Sequence, residues 1–213
     1  MSRILYTYHD VVPELAAYYD ADRLLALWAR AWERCGWQTI LLDRATAARH
    51  PRWSEYAAAV RQLPTLNARA YEDANYHRWM AMAMVGGGLM ADADVLPLAD
   101  WHPEPGANLT VYSVDFLEGD RLCPCFVHGT AAQYEQACGY FADAARRVGI
   151  AAHVSDQELL RAGGTPVDVR PDVLTYGDPR MPDARAVHYK TAAIRDEPGT
   201  KSERIARLHR EGP

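Results

Sequence analysis

Two aspartates one residue apart, Asp92 and Asp94, lie in the stretch MVGGGLMADADVLPL (Met84–Leu98), behind three glycines and an apolar run. Side chains at i and i+2 of a strand share one face. The spacing therefore predicts a third strand, LMADADVL, that ends with both carboxylates pointing the same way and Ala93 and Val95 packed behind. Like charges so placed are costly unless a cation lies between them or both reach water at the strand end. Oxygen donors at this spacing suit Mg²⁺ or Mn²⁺, above all where phosphate oxygens complete the shell. The plain alternative is a solvated loop that happens to hold two aspartates; apolar residues on both sides weigh against it.

A second group is sulfur-based. CPCFVH brings Cys123, Cys125 and His128 close in sequence, but zinc sites use C-x₂₋₄-C with a second ligand pair, and none follows. Reduced, buried thiols are the better reading. Bulk composition sets the outer limits. A chain of 213 residues, 49% hydrophobic and 24% charged, can bury a sizeable core. A formal charge of -5 argues against a general nucleic-acid coat. No apolar run approaches the roughly 20 residues of a membrane span, and MSRILYTYHD reads as a strand rather than a signal peptide, so a cytoplasmic protein is expected.

The elements that must hold the aspartates follow from periodicity. RILYTYHD is a strand; Leu24, Leu25, Trp28, Ala31, Trp32 and Cys35 recur at helical spacing up to Gly36; WQTILLD is a second strand. Strand, helix, strand is the signature of a parallel sheet. EYAAAVRQL and ARAYEDANYHRWMAMAMV read as helices, NLTVYSV and CPCFVHG as extended, AAQYEQACGYFADAARRVG as a helix and PVDVRPDVLTYG as extended again. Ser155 with Glu158 forms a capping box for a short helix over SDQELLRAG. From residue 195 to 213 the charge density rises, and a frayed or mobile tail is expected.

The segment NYHRWMAMAMVGGGLMADADVLPL resembles the core of the DxD-motif glycosyltransferases of the GT-A fold, in which a helix carries Asp-x-x-Arg, then Gly-Gly, then an apolar strand into Asp-x-Asp. Arg78, Gly86 to Gly88, Asp92 and Asp94 keep that order, with Asn75 in place of the usual aspartate. ILYTYHD, WERCGWQTILLD, SDQELL and AVHYK resemble further pieces of the family in the same order, across roughly residues 3 to 192. The resemblance implies a single-domain α/β fold over residues 1–194, with a mostly parallel, Rossmann-like sheet flanked by helices. It implies a cation, Mn²⁺ or Mg²⁺, held by Asp92, Asp94 and His188, and a UDP- or GDP-sugar donor. Thr7, Tyr8, Asn75, Arg78, Asp92, Gln157 and Lys190 would contact that donor. Asp156 and Asp115 are the carboxylates expected near the reacting carbon. Retention of configuration goes with the resemblance. A glycan, a lipid-linked saccharide, a protein and a modified DNA base all stay open as acceptor.

Each residue also has a plainer reading. His188 fits an ordinary strand, Lys190 a solvated surface, Arg78 an ion pair with Glu72 or Asp73, and Asp156 a helix dipole. Two rival functions remain. Haloacid-dehalogenase-type phosphatases also end a strand in Asp-x-Asp, with the first aspartate as nucleophile, and GDPRMPD resembles their late acidic motif. Against them, Leu96 stands where they carry Thr or Val, and Lys190 follows both motifs instead of separating them. A non-catalytic nucleotide-sugar-binding protein is the second rival.

Overall fold

β1 (Arg3–Tyr8) and β2 (Trp37–Leu42) run parallel, with Arg3 opposite Trp37 and Tyr8 opposite Leu42, and α1 (Ala21–Arg34) crosses between them. The architecture is that of a computed structural model, which describes residues 3–15, 19–147 and 153–212. α1 buries Leu24, Trp28 and Trp32, the residues its periodicity marks. α2 (Arg44–Ala48) and α3 (Trp53–Val60) lead to the long α4 (Arg69–Met84), and the chain then turns through three glycines into β3 (Gly87–Ala91). Gly87 is at φ 85, and a Cβ there would lie 2.5 Å from the Gly129 carbonyl oxygen, so only glycine allows β3 to start so close to its neighbour.

β3 adds to the parallel edge beside β1. Beyond it the sheet changes character. β7 (Phe126–Thr130) is antiparallel both to β3 and to β5 (Leu109–Asp115), and the two-residue β6 (Arg121–Leu122) pairs antiparallel with β5. β8 (Val167–Thr175) is parallel to β5, β9 (Ala186–His188) is parallel to β8, and β4 (Val95–Pro97) is antiparallel to β9. The order is β2-β1-β3-β7-β5-β8-β9-β4, with β6 beside β5. Among the described residues, parallel and antiparallel pairings are equal in number, so the sheet is mixed and not mostly parallel as expected. The physical reason is the connection from β5 to β7. It carries no crossover helix, so the chain returns antiparallel.

β3 and β4 are consecutive in the chain yet stand third and last in this order, so the sheet curls back on itself. The strand expected over LMADADVL is accordingly two strands, interrupted by a turn at residues 92–94 in which the Val95 N–H donates to the Asp92 carbonyl at 3.0 Å. Two apolar layers flank the sheet. One is built from α2, α3, α4, α5 (Ala131–Ala145) and α6 (Asp156–Arg161) against Met90, Val111 and Val127. The other sets α1 and α7 (Lys201–Glu211) against Leu5, Leu89, Tyr112 and Phe126.

α7 occupies the segment whose composition predicts a mobile tail. Thr200 and Glu203 form a capping box on it, and Ile205 and Leu208 are buried against the core that also holds Trp28. Among the described residues, no helix is long and apolar enough to cross a membrane.

Candidate functional site

Asp92 and Asp94 come together through the turn and not through strand pleat. The turn is fixed on two sides: the Asp92 N–H donates to the Cys125 carbonyl at 2.8 Å, and the Tyr189 N–H donates to the Asp94 carbonyl at 2.9 Å. The second bond arises because β4 pairs with β9, which puts Val95 opposite His188. The curl of the sheet thus carries a histidine from the end of the fold to the aspartates.

Arg78, on α4, points its guanidinium fork at two carboxylates. Nη1 donates to Asp92 Oδ1 at 2.5 Å and Nη2 to Asp156 Oδ2 at 2.7 Å. Asp156 opens α6 and also accepts from Trp79 Nε1 at 2.8 Å and from the Gln157 N–H at 2.8 Å. This buried bridge takes the place of the plainer ion pair with Glu72 or Asp73. Burial pushes the Asp92 carboxyl up to about 6 even with Arg78 opposing, and nearby Asp94 adds to the rise.

Asp94 is held differently. Burial would raise its pKa, but Lys201 and His188 together hold the carboxyl well below the usual range. Lys201 Nζ donates to Asp94 Oδ2 at 2.6 Å and to Thr191 Oγ1 at 3.1 Å, and sits 4.7 Å from the centre of the Tyr19 ring. His188 Nε2 lies 3.6 Å from the same Oδ2, while its Nδ1 faces Cys123 Sγ at 3.9 Å. One oxygen each of Asp92 and Asp94 and one His188 nitrogen fall within 4.8 Å of one another, a spacing that can hold a metal ion. Lys201 is the site residue that sequence reasoning misses. It stands in a charge-rich segment that reads as a tail, and the signal that could have found it is the Thr200-x-x-Glu203 box followed by Ile205 and Leu208.

The remaining predicted residues divide in two. Tyr8, Asn75, Arg78, Asp92 and Asp94 all line one cleft of about 470 Å³, together with Lys201. The Tyr8 hydroxyl donates weakly to Asp10 at 3.5 Å, and Asn75 stands within hydrogen-bonding reach of Tyr71. Lys190 points elsewhere: its Nζ contacts Asp115 Oδ2 and Glu118 Oε1, each at 2.5 Å. Asp115 is buried and also accepts from the Leu117 N–H at 3.0 Å, and Gln157 Nε2 donates to Glu118 at 3.2 Å. Thr7 is buried, and its hydroxyl has no hydrogen-bond partner among the described residues. None of Thr7, Asp115, Asp156, Gln157 and Lys190 lines the cleft.

The cleft is acidic. Asp10, Asp20 and Asp22 line it beside Asp92 and Asp94, against Arg78, Lys201 and His9. A polyanion would meet more negative than positive charge there, and a small cation would find a surplus of carboxylates.

Comparison with known proteins agrees with the fold. Residues 2–105, just under half of the chain, match the model of a domain of unknown function, DUF8765. That match ends beyond β4 and so includes the aspartate turn. No curated protein sequence matches the chain. Among solved structures, the glycosyltransferase GlyE of Streptococcus pneumoniae TIGR4 aligns over 99% of this chain and 64% of its own, at a TM-score of 0.54 and 11% identity. The chain thus spans less than two thirds of that structure, and at this identity the likeness is one of fold.

Proposed function

We propose that the chain is a glycosyltransferase that binds a nucleotide-diphosphate sugar in the 470 Å³ cleft, with a divalent cation, Mn²⁺ or Mg²⁺, at the Asp92–Asp94 turn. The observation that carries this reading is the turn itself. Two carboxylates face an acidic cleft whose opposite charges, Arg78 and Lys201, are both already bonded to them. The donor set fits a cation on chemical grounds. Two carboxylates and an imidazole are within ligand spacing of one another. Such an ion would act as a Lewis acid on the diphosphate leaving group.

The chain's own residues then have definite tasks. Arg78 fixes Asp92 in place, and Asp156, itself held by Trp79, fixes Arg78, so Asp156 is read as a positioning residue rather than one near the reacting carbon. Asp115 plays the same part for Lys190. Lys201 replaces Lys190 as the ammonium that meets the diphosphate, because only Lys201 borders the cleft. Asn75 and Tyr71 offer hydrogen-bonding groups to sugar or ribose hydroxyls, and Tyr8 a ring face to the base.

The phosphatase reading gains no support from the late acidic motif: Asp178 is buried and tied to Arg180 by contacts of 2.6 to 2.9 Å. The binding-only reading differs from the transferase in turnover alone. Calorimetric titration with UDP, GDP and their sugar conjugates, with and without Mn²⁺, tests the proposal on wild type and Asp94→Asn. Cation-dependent binding of one nucleotide, lost in the variant, is expected. No nucleotide binding under any condition overturns the proposal, and slow hydrolysis of the bound sugar nucleotide separates enzyme from binding protein.

A further inference from the structure

Behind the aspartates lies a second ligand set that the transferase reading does not use. Cys123, Cys125 and His188 are all buried, at 5%, 2% and 6% exposure, and one ligand atom from each falls within 4.8 Å of the others. The sequence offers no second pair of ligands near Cys-Pro-Cys. The fold supplies the third ligand from 65 residues further along, by pairing β9 with β4 beside the turn.

The geometry is close to that of a metal centre. Sulfur at about 2.3 Å and nitrogen at about 2.0 Å from a tetrahedral zinc stand roughly 3.5 Å apart. Cys123 Sγ and His188 Nδ1 stand 3.9 Å apart, a few tenths beyond that separation. The other nitrogen of His188 faces Asp94 Oδ2 at 3.6 Å. A metal-bound histidine almost always presents its second nitrogen to a carboxylate, carbonyl or water, which fixes ring orientation and tautomer. Here that carboxylate is in place. Cys125 is anchored too, with its Sγ 3.0 Å from Ser113 Oγ and its carbonyl bonded to the Asp92 N–H at 2.8 Å. Two other readings fit less well. A cysteine nucleophile would need access to the cleft, and neither thiol lines it. A purely apolar role would not require an imidazole nitrogen aimed at the sulfur.

We propose that Cys123, Cys125 and His188 Nδ1 form a binding site for a thiophilic divalent ion, Zn²⁺, behind the cleft. Two thiolates and an imidazole select Zn²⁺ over Mg²⁺ or Mn²⁺, which prefer oxygen donors. The assignment goes beyond the transferase reading and changes one part of it. A neutral imidazole has one nitrogen lone pair, so with zinc on Nδ1 the cleft cation is held by Asp92 and Asp94 without His188. The ion would also tie the loop before β7 to β9, two parts of the curled sheet.

The test uses the full chain, stripped of metal and titrated with Co²⁺ as a spectroscopic stand-in for Zn²⁺. A near-ultraviolet thiolate-to-cobalt charge-transfer band that saturates at one ion per chain, with tetrahedral visible bands, is expected. Zn²⁺ should abolish both and excess Mg²⁺ should not. Cys123→Ser should remove the band, whereas Asp94→Asn should keep it with affinity lowered about 10- to 100-fold, as for an outer-shell partner. If Cys123→Ser does not fold, the titration of wild type decides alone. Weak bands of octahedral cobalt with no thiolate component, or no cobalt binding, overturn the assignment. Nucleotide titration at the cleft is read separately, so loss of one conclusion leaves the other standing.

Discussion

Lys201 holds the oxygen of Asp94 that an incoming cation would compete for, at 2.6 Å. If the ammonium moves onto the diphosphate when donor binds, it opposes cation binding alone and favours nucleotide binding. Lys201→Met should therefore bind Mn²⁺ more tightly and the nucleotide about tenfold more weakly, the scale of one charge-assisted hydrogen bond. Calorimetry on each ligand separately checks this; a change of the same sign for both would leave Lys201 a merely structural role. Arg78 makes a sharper case. Its removal in Arg78→Met strands Asp156 as a buried charge and frees Asp92, which is 35% exposed. Urea denaturation should show a loss near the low end of about 3–5 kcal/mol. Asp156→Asn, which can keep an oxygen on Trp79 Nε1, should lose less.

At the scale of elements, α7 is the one whose role the amino-acid pattern conceals. Its first turn holds Lys201, and its buried side chains are few. Ile205→Ala should cost about 2–4 kcal/mol and Thr200→Ala about 1 kcal/mol, measured by thermal or urea unfolding. Because Lys201 follows Thr200 directly, the cap variant should weaken nucleotide binding along with stability.

The long α4 carries a separate liability in His77, which is buried against Trp53 with ring centres 4.6 Å apart. Burial, and then Arg44 and Arg61, push its pKa down to about 4. A depressed histidine favours the folded state above the unfolded value of about 6.5 and loses that contribution as pH falls toward 4. The stability of wild type should thus drop across this window, by up to about 3 kcal/mol from this group, and His77→Leu should flatten the slope.

Elements that local pattern specifies are legible in the amino-acid sequence. α1 shows its periodicity through Trp28 and Trp32, α6 its Ser155 capping box, and β1 and β2 the parallel edge. The glycines at the start of β3 are legible as a break, and Gly87 proves to be a close approach as well. Two features are not legible, for physical reasons. The alternation in MADADVL satisfies strand periodicity, so nothing local reveals that Asp92 to Asp94 turns; what makes it turn is the pairing of β4 with a strand far along the chain. Likewise Lys190 and Lys201, the only lysines in the chain, look alike in sequence. Their separation into a site residue and a supporting one is set by α7 docking on α1.

At the scale of the whole molecule, the aspartate turn joins the third strand of the sheet to the last. Trp32 Nε1 on α1 also donates to the Val95 carbonyl at 2.9 Å, which draws the first helix into the same junction. With both apolar layers meeting one curled sheet, unfolding should be a single transition. Near-ultraviolet circular dichroism from the tryptophans and far-ultraviolet signal from the backbone should coincide in urea.

The junction also bears on the order of synthesis. Val95 finds its partner His188 only 93 positions later (188 less 95), and Asp94 its lysine later still. A ribosome that has made residues 2–105 has made both aspartates and nothing to pair β4 with, so the turn gains its partners only once His188 and Lys201 have been made. Contacts that distant make for slow folding. The stretch 2–105, although matched as a unit, should accordingly give no cooperative transition when expressed by itself. Its boundary would then mark shared ancestry of sequence and not a self-sufficient folding body.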